Sequence, residues 1–245
     1  MRQLPALFST PMVKAILENR KTMTRRTKGL SELNMLPDTV FLSGTQHTAN
    51  SKDIAFIFKP CIDVMDIGSI IVKPQYQIGD QIYVKESYYA YGYWKIDGKT
   101  KTGKEKLRFI DCTSKCFYKY DYYPNIPETV EFDRSQEGWW KRNSLFMPKK
   151  AARIWLECTG VRCERLQSIS SNDCISEGIL PLKNGASFDC HTQKYFDYSK
   201  PKQHFPEGLD PFWSFNSLWC SINGGESWDA NPWVFVYEFK RIEKP

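Results

Sequence analysis

Between Arg20 and Arg26 the chain reads RKTMTRR, four cations and two threonines within seven residues. A guanidinium presents a planar fork of donors that matches a phosphate or a base edge, which makes Arg20, Arg25 and Arg26 candidate binders of an anionic or nucleobase ligand. Lys21 can act as a base only when neutral, and repulsion from these arginines, together with burial, would push its pKa down. Thr24 carries a hydroxyl able to attack or to position a substrate. The plainer alternative is a solvated basic surface.

The charge distribution points to the same run. The 245 residues carry a net charge of +6, and the first 28 hold seven bases against the single acid Glu18. The remaining 217 residues hold 27 bases and 27 acids, so the whole excess lies in this segment. Such asymmetry predicts one focused anionic site rather than a general affinity for polyanions.

Three further sets of residues are candidates for chemistry. Glu86 shares a strand face with Ile82 and Val84, so it points inward, where it either meets Arg25 or Arg26 or lines a pocket. Interleaved Lys115, Tyr118, Lys119, Tyr120, Tyr122 and Tyr123 either stack bases and contact phosphates or pack a polar hairpin. The eight cysteines include no CxxC pair. Cys112, Cys116, Cys190 and His191 make a poor zinc set, and neither a metal nor a cofactor is expected.

The elements that must position these residues are mostly strands. Leu4 to Ser9 predicts a short strand, followed by a helix that Thr10 caps and Pro11 opens, ending near Asn19. Residues 28–60 show weak periodicity and predict a long loop or insertion. Gln81 to Ser87 alternates as a strand, and Tyr91 to Ile96 with Lys106 to Asp111 predicts a hairpin. Arg153 to Arg165 reads as a long strand, and Ser170 to Glu177 as a short helix with a capping box from Ser170 and Asp173, stopped by Gly178. Residues 183–208 predict a loop. Phe212 to Ile222 predicts a helix ended by Asn223-Gly224-Gly225, and Trp233 to Ile242 the last strand. The expectation is an α+β fold, a mixed β-barrel with short helices and long insertions, forming a single domain over 1–245.

No apolar run approaches the ~18 residues that span a bilayer, and residues 1–20 lack the apolar stretch of a secretory signal. A cytoplasmic protein with reduced thiols and no membrane partner is expected.

Three segments, PALFSTPMVKAILENRKTMTRR at 5–26, IGDQIYVKESY at 78–88, and FMPKKAARIWLECTGVRCERLQSISSNDCISEGI at 146–179 continued by FNSLWCSINGGESWDANPWVFVYEFKRI at 215–242, resemble ASCH-domain proteins of the phage and prophage type. The resemblance covers about half of the chain, in order, and leaves 28–77 and 90–140 as variable insertions. It implies a PUA-like barrel, a fold associated with RNA and modified bases, with the basic segment lining a cleft. Fold alone does not fix function.

The family includes an N(4)-acetylcytidine amidohydrolase and a member reported as a ribonuclease. The amidohydrolase uses a Lys and a Thr in a string similar to GRKTxTxR, which match Lys21 and Thr24 here, and a Glu that matches Glu177 in CISEGI. The resemblance thus implies Lys21, Thr24 and Glu177 as catalytic residues; the residues' own chemistry makes Arg20, Arg25, Arg26 and Glu86 the candidates around the substrate. Either Lys21 or Glu177 can be the base, the other group assisting. Three functions follow: amide hydrolysis of an N-acylated cytidine, non-catalytic recognition of RNA, DNA or a modified base, and ribonuclease chemistry. The partner in each is nucleic acid or a nucleoside.

Overall fold

Runs of β-branched and aromatic residues make strands the main regular structure of the described residues, as β-propensity favours. The computed structural model describes residues 1–35, 37–47, 53–61, 69–118, 133–182, 193–200 and 208–245. In chain order the elements are β1 (Gln3–Leu7), α1 (Thr10–Leu17), β2 (Met23–Arg26), β3 (Val40–His47), β4 (Ile54–Pro60), β5 (Ile70–Val72), β6 (Gln81–Lys85), β7 (Tyr88–Lys99) and β8 (Glu105–Tyr118). There follow β9 (Gly138–Arg142), β10 (Trp155–Arg165), α2 (Ser171–Ser176), α3 (Pro211–Asn223), α4 (Gly225–Asp229) and β11 (Trp233–Ile242). The result is a strand-rich α+β fold with few, short helices.

The chain divides into two compact units, the first formed by 1–4, 15–81 and 156–242, the second by 5–14, 82–155 and 243–245. The first holds β11, β2 and, from Leu156 on, β10, consecutive strands in the sheet order β1-β6-β10-β11-β2. Its β11 has neighbours on both edges and core on both faces, so Val234, Phe235, Val236 and Tyr237 are all buried. A strand buried on both sides reads as a continuous apolar run, and PWVFVYEF is one. The short β2 pairs antiparallel with β11, Thr24 opposite Tyr237 and Arg25 opposite Val236. Gln81 N–H donates to Arg2 O and, further along both strands, Phe8 N–H donates to Lys85 O, so β1 and β6 run parallel and the sheet is mixed.

Residues 28–60, read as a long loop or insertion, supply β3 and β4, which with β5 form a three-stranded antiparallel sheet. It contributes core: Phe56 meets Phe235 at 5.7 Å and Phe58 meets Trp233 edge-on at 4.9 Å. The helix predicted to end at Gly224 does so, at φ 85°, but a further helical turn, α4, follows directly and brings Trp228 against Phe212 and Phe215.

In the second unit the predicted hairpin is β7-β8, with β9 on the other edge of β7. One face is closed by Arg142, whose guanidinium lies 4.5 Å from the Trp94 ring and 4.4 Å from the Phe109 ring. Glu86 is buried as expected, but its arginine is Arg153, which donates from Nε at 2.9 Å and from Nη2 at 3.0 Å. Arg153 also lies over the Tyr118 ring at 4.0 Å, while the Tyr118 hydroxyl donates to Ala151 O. Tyr118 is therefore a packing residue. Lys119, Tyr120, Tyr122, Tyr123, Cys190, His191 and most of the predicted 183–208 loop fall outside the described residues.

Candidate functional site

The first unit gathers the basic run and a set of acids at the edge of its sheet. After α1, Asn19 takes a left-handed conformation (φ 58°), and the amides of Arg20 and Lys21 both return to Ala15 O. The turn lays Lys21 beside Glu177, with which it forms an isolated antiparallel bridge, and Thr22 N–H donates to Ser176 O at 2.9 Å. Glu177 is delivered by α2, which Ser170 caps by accepting from Asp173 N–H at 3.1 Å. Gly178 ends it at φ 88°, and a side chain there would meet Lys21 Cβ at 2.7 Å and Ala15 Cβ at 2.9 Å. The glycine after Glu177 therefore has a local reason: only glycine lets Glu177 and Lys21 approach this closely.

Lys21 and Glu177 are each 4% exposed. Lys21 Nζ donates to Glu177 Oε2 at 2.6 Å and to Glu177 O at 2.8 Å. The second carboxylate oxygen accepts from Arg25 Nη1 at 3.1 Å. Arg25 Nη2 donates to Glu164 Oε1 at 2.6 Å and to Asp173 Oδ2 at 2.9 Å. Arg162 closes the ring by donating to Glu164, Asp173 and Glu238. Burial pushes the Lys21 ammonium pKa down against the attraction of Glu177, and Arg26 and Arg25 add to the depression. For Arg25, burial opposes the charged form, yet Glu177 and Glu164 outweigh it and its pKa rises. The Cys174 thiol beneath the cluster is pushed up to about 12, chiefly by burial.

The predicted residues separate accordingly. Lys21, Arg25 and Glu177 converge. Thr24 is buried but follows the strand alternation to the face opposite Arg25, the face of Tyr237, whose ring packs edge-on against Tyr76 at 4.9 Å. Among the described residues its hydroxyl makes no hydrogen bond to Lys21 or Glu177. Arg26 shares the Thr24 face and is half-buried. Arg20 is held by Glu18 and donates to Gly178 O at 2.6 Å, which ties the basic run to the end of α2. Glu86 belongs to the second unit, held by Arg153.

Sequence reasoning missed Glu164, Asp173, Arg162 and Glu238. Arg162 and Glu164, two apart, share one face of β10, and Asp173 was read only as half of a capping box. These acids also change the meaning of the +6 segment. Arg2 pairs with Asp80, Arg20 with Glu18, Lys21 with Glu177, and Arg25 with three carboxylates. The excess is local in sequence and largely offset in space.

The buried ammonium and carboxylate lie at 2.6 Å, and burial disfavours the charged form of Lys21. The surrounding arginines and acids fix its orientation. Comparison of the chain with protein-family models, with curated proteins and with solved structures gives no match.

Proposed function

We propose that the protein is an ASCH-type, PUA-like hydrolase of a modified nucleobase, cleaving the amide of an N(4)-acylated cytidine at the Lys21–Glu177 pair. The observation that carries this reading is the burial of that pair, 2.6 Å apart, with the pKa of Lys21 lowered. Burial and coupling of this kind belong more often to groups that move protons than to surface ion pairs. The resemblance of NRKTMTRR and CISEGI to the amidohydrolase strings supports it independently.

In the proposed reaction water adds to the acyl carbon, and its proton passes to the pair. Lys21 stabilises the oxygen that gains charge. The carbon–nitrogen bond then breaks, the exocyclic nitrogen takes the proton back, and cytidine and a carboxylate leave. Because the two groups share one short hydrogen bond, the proton is assigned to the pair rather than to one member. Ribonuclease chemistry needs cations facing a phosphate, and Arg25 is committed to three carboxylates with none of its side chain exposed.

Incubation with N(4)-acetylcytidine and chromatography for cytidine tests the proposal. Product from the native chain, lost in Lys21→Ala, supports it. No product, together with binding of the intact nucleoside that Lys21→Ala abolishes, would assign the site to recognition without chemistry.

A further inference from the structure

The second unit carries a surface that the Lys21–Glu177 site does not use. Along β7, Tyr89, Tyr91 and Tyr93 alternate with Tyr88, Ala90 and Gly92, so the three tyrosines line one face at steps of about 6.8 Å. They are partly exposed, whereas Tyr88, Ala90 and Gly92 are buried. The register places Trp139 opposite Tyr91 and Lys141 opposite Tyr89 on β9, and Ile110 opposite Tyr93 and Arg108 opposite Lys95 on β8. Directly paired residues share a face, so among the described side chains this face holds Tyr89, Tyr91, Tyr93 and Trp139 with the cations Lys95, Arg108 and Lys141. Tyr91 and Trp139 meet edge-on at 5.4 Å.

The cations are the informative part. Lys95 and Arg108 are exposed and directly opposed, an arrangement that costs stability because like charges face each other across strands. Among the described residues no acid pairs with Lys95, Arg108 or Lys141. The first acid of this parity on β7 is Asp97, at the hairpin end. The opposite face, by contrast, is packed, with Arg142 held between Trp94 and Phe109. A row of rings with unneutralised cations beside it has the chemistry of a stacking platform for bases whose phosphates lie along the rim. The ring spacing is twice the roughly 3.4 Å between neighbouring bases of a duplex strand, and suits bases splayed one per ring.

We propose that this face of the β8-β7-β9 sheet binds single-stranded nucleic acid by stacking bases on Tyr89, Tyr91, Tyr93 and Trp139, with Lys95, Arg108 and Lys141 on the phosphates. The proposal stands apart from the hydrolytic reading, because binding is measured without turnover.

The test is fluorescence anisotropy of labelled twelve-nucleotide oligo(dT) and oligo(U) with the full chain over a range of salt. Both single strands bind, and a duplex of equal length binds at least tenfold more weakly. Tyr91→Ala with Tyr93→Ala weakens binding by roughly tenfold or more, and Tyr91→Phe with Tyr93→Phe restores it. Lys95→Ala with Lys141→Ala lowers the slope of log affinity against log salt by about 0.7 per residue. An unchanged thermal midpoint shows that each variant is folded. Absence of binding by the native chain, unchanged affinity in the folded double alanine variant, or equal affinity for the duplex overturns the proposal. So does self-association that the alanine variant abolishes in a chain that binds no oligonucleotide.

Discussion

Glu177→Gln removes the one charge that two buried cations share. Lys21 then keeps the Glu177 carbonyl and faces a neutral amide in place of the carboxylate, while Arg25 keeps Glu164 and Asp173. Breaking a buried pair from one side costs about 3–5 kcal/mol, and the whole of that applies to Lys21 because its side chain is 3% exposed. Lys21→Met removes the other partner but leaves the carboxylate bound to Arg25 at 3.1 Å, so its cost is smaller, about 1–3 kcal/mol. Replacing both, as Lys21→Met with Glu177→Leu, deletes the two charges together and brings stability back to within about 2 kcal/mol of the native chain. The assay is urea unfolding followed by tryptophan fluorescence, with midpoints compared at constant slope. The expected order is Glu177→Gln least stable, Lys21→Met next, and the double variant above the sum of the singles. Additive costs, or a Glu177→Gln midpoint above that of Lys21→Met, would refute the claim that the two groups are a desolvated unit.

Gly178→Ala forces a side chain into Lys21 Cβ at 2.7 Å from a positive φ, and is expected to cost about 2 kcal/mol in the same unfolding assay while slowing turnover of N(4)-acetylcytidine. Thr24→Val is expected to keep that turnover within about threefold, since the hydroxyl lies on the opposite strand face from Arg25; a loss as deep as that of Lys21→Ala would show that substrate draws Thr24 into the site. Burial pushes the Cys158 and Cys163 thiols up to about 12, so the folded chain keeps protons that the unfolded chain releases near pH 9. Stability therefore falls as pH rises from about 9 to about 12, by on the order of 1 kcal/mol per thiol at pH 10. Urea midpoints in Cys158→Ala with Cys163→Ala fall less steeply over that range. Lys21, with its lowered pKa, contributes the opposite slope below 10.5, and a Lys21→Met background separates the two.

What was legible in the sequence was local. The place of β11 follows from the apolar run Trp233 to Phe239, and the α2 cap from the spacing of Ser170 and Asp173. The second sheet was hidden for physical reasons. Ala55, Phe56 and Phe58 in β4 are all buried, which erases the period of two, and the β3 register slips between Leu42 and Gly44. The α4 turn is five residues long and opens on a glycine that reads as a stop. In the candidate site, the basic run and Glu177 were visible through resemblance, and Lys21 and Glu177 meet across 156 residues. No local pattern names such a partner, which is why Glu86 drew Arg153 rather than Arg25, and why Glu164 and Asp173 went unread as the acids that hold Arg25. Strand content made the α+β class legible, and the strands form open sheets; a PUA-like barrel is what the resemblance alone implies.

The most direct test of the account is a kinetic cycle on N(4)-acetylcytidine with the native chain, Lys21→Ala, Glu177→Gln and the double variant, each confirmed folded. If the pair moves the proton as one unit, each single variant loses at least about a hundredfold in rate, and the double variant is no slower than the worse single. A native chain that releases no cytidine, or single losses that multiply in the double variant, would contradict it.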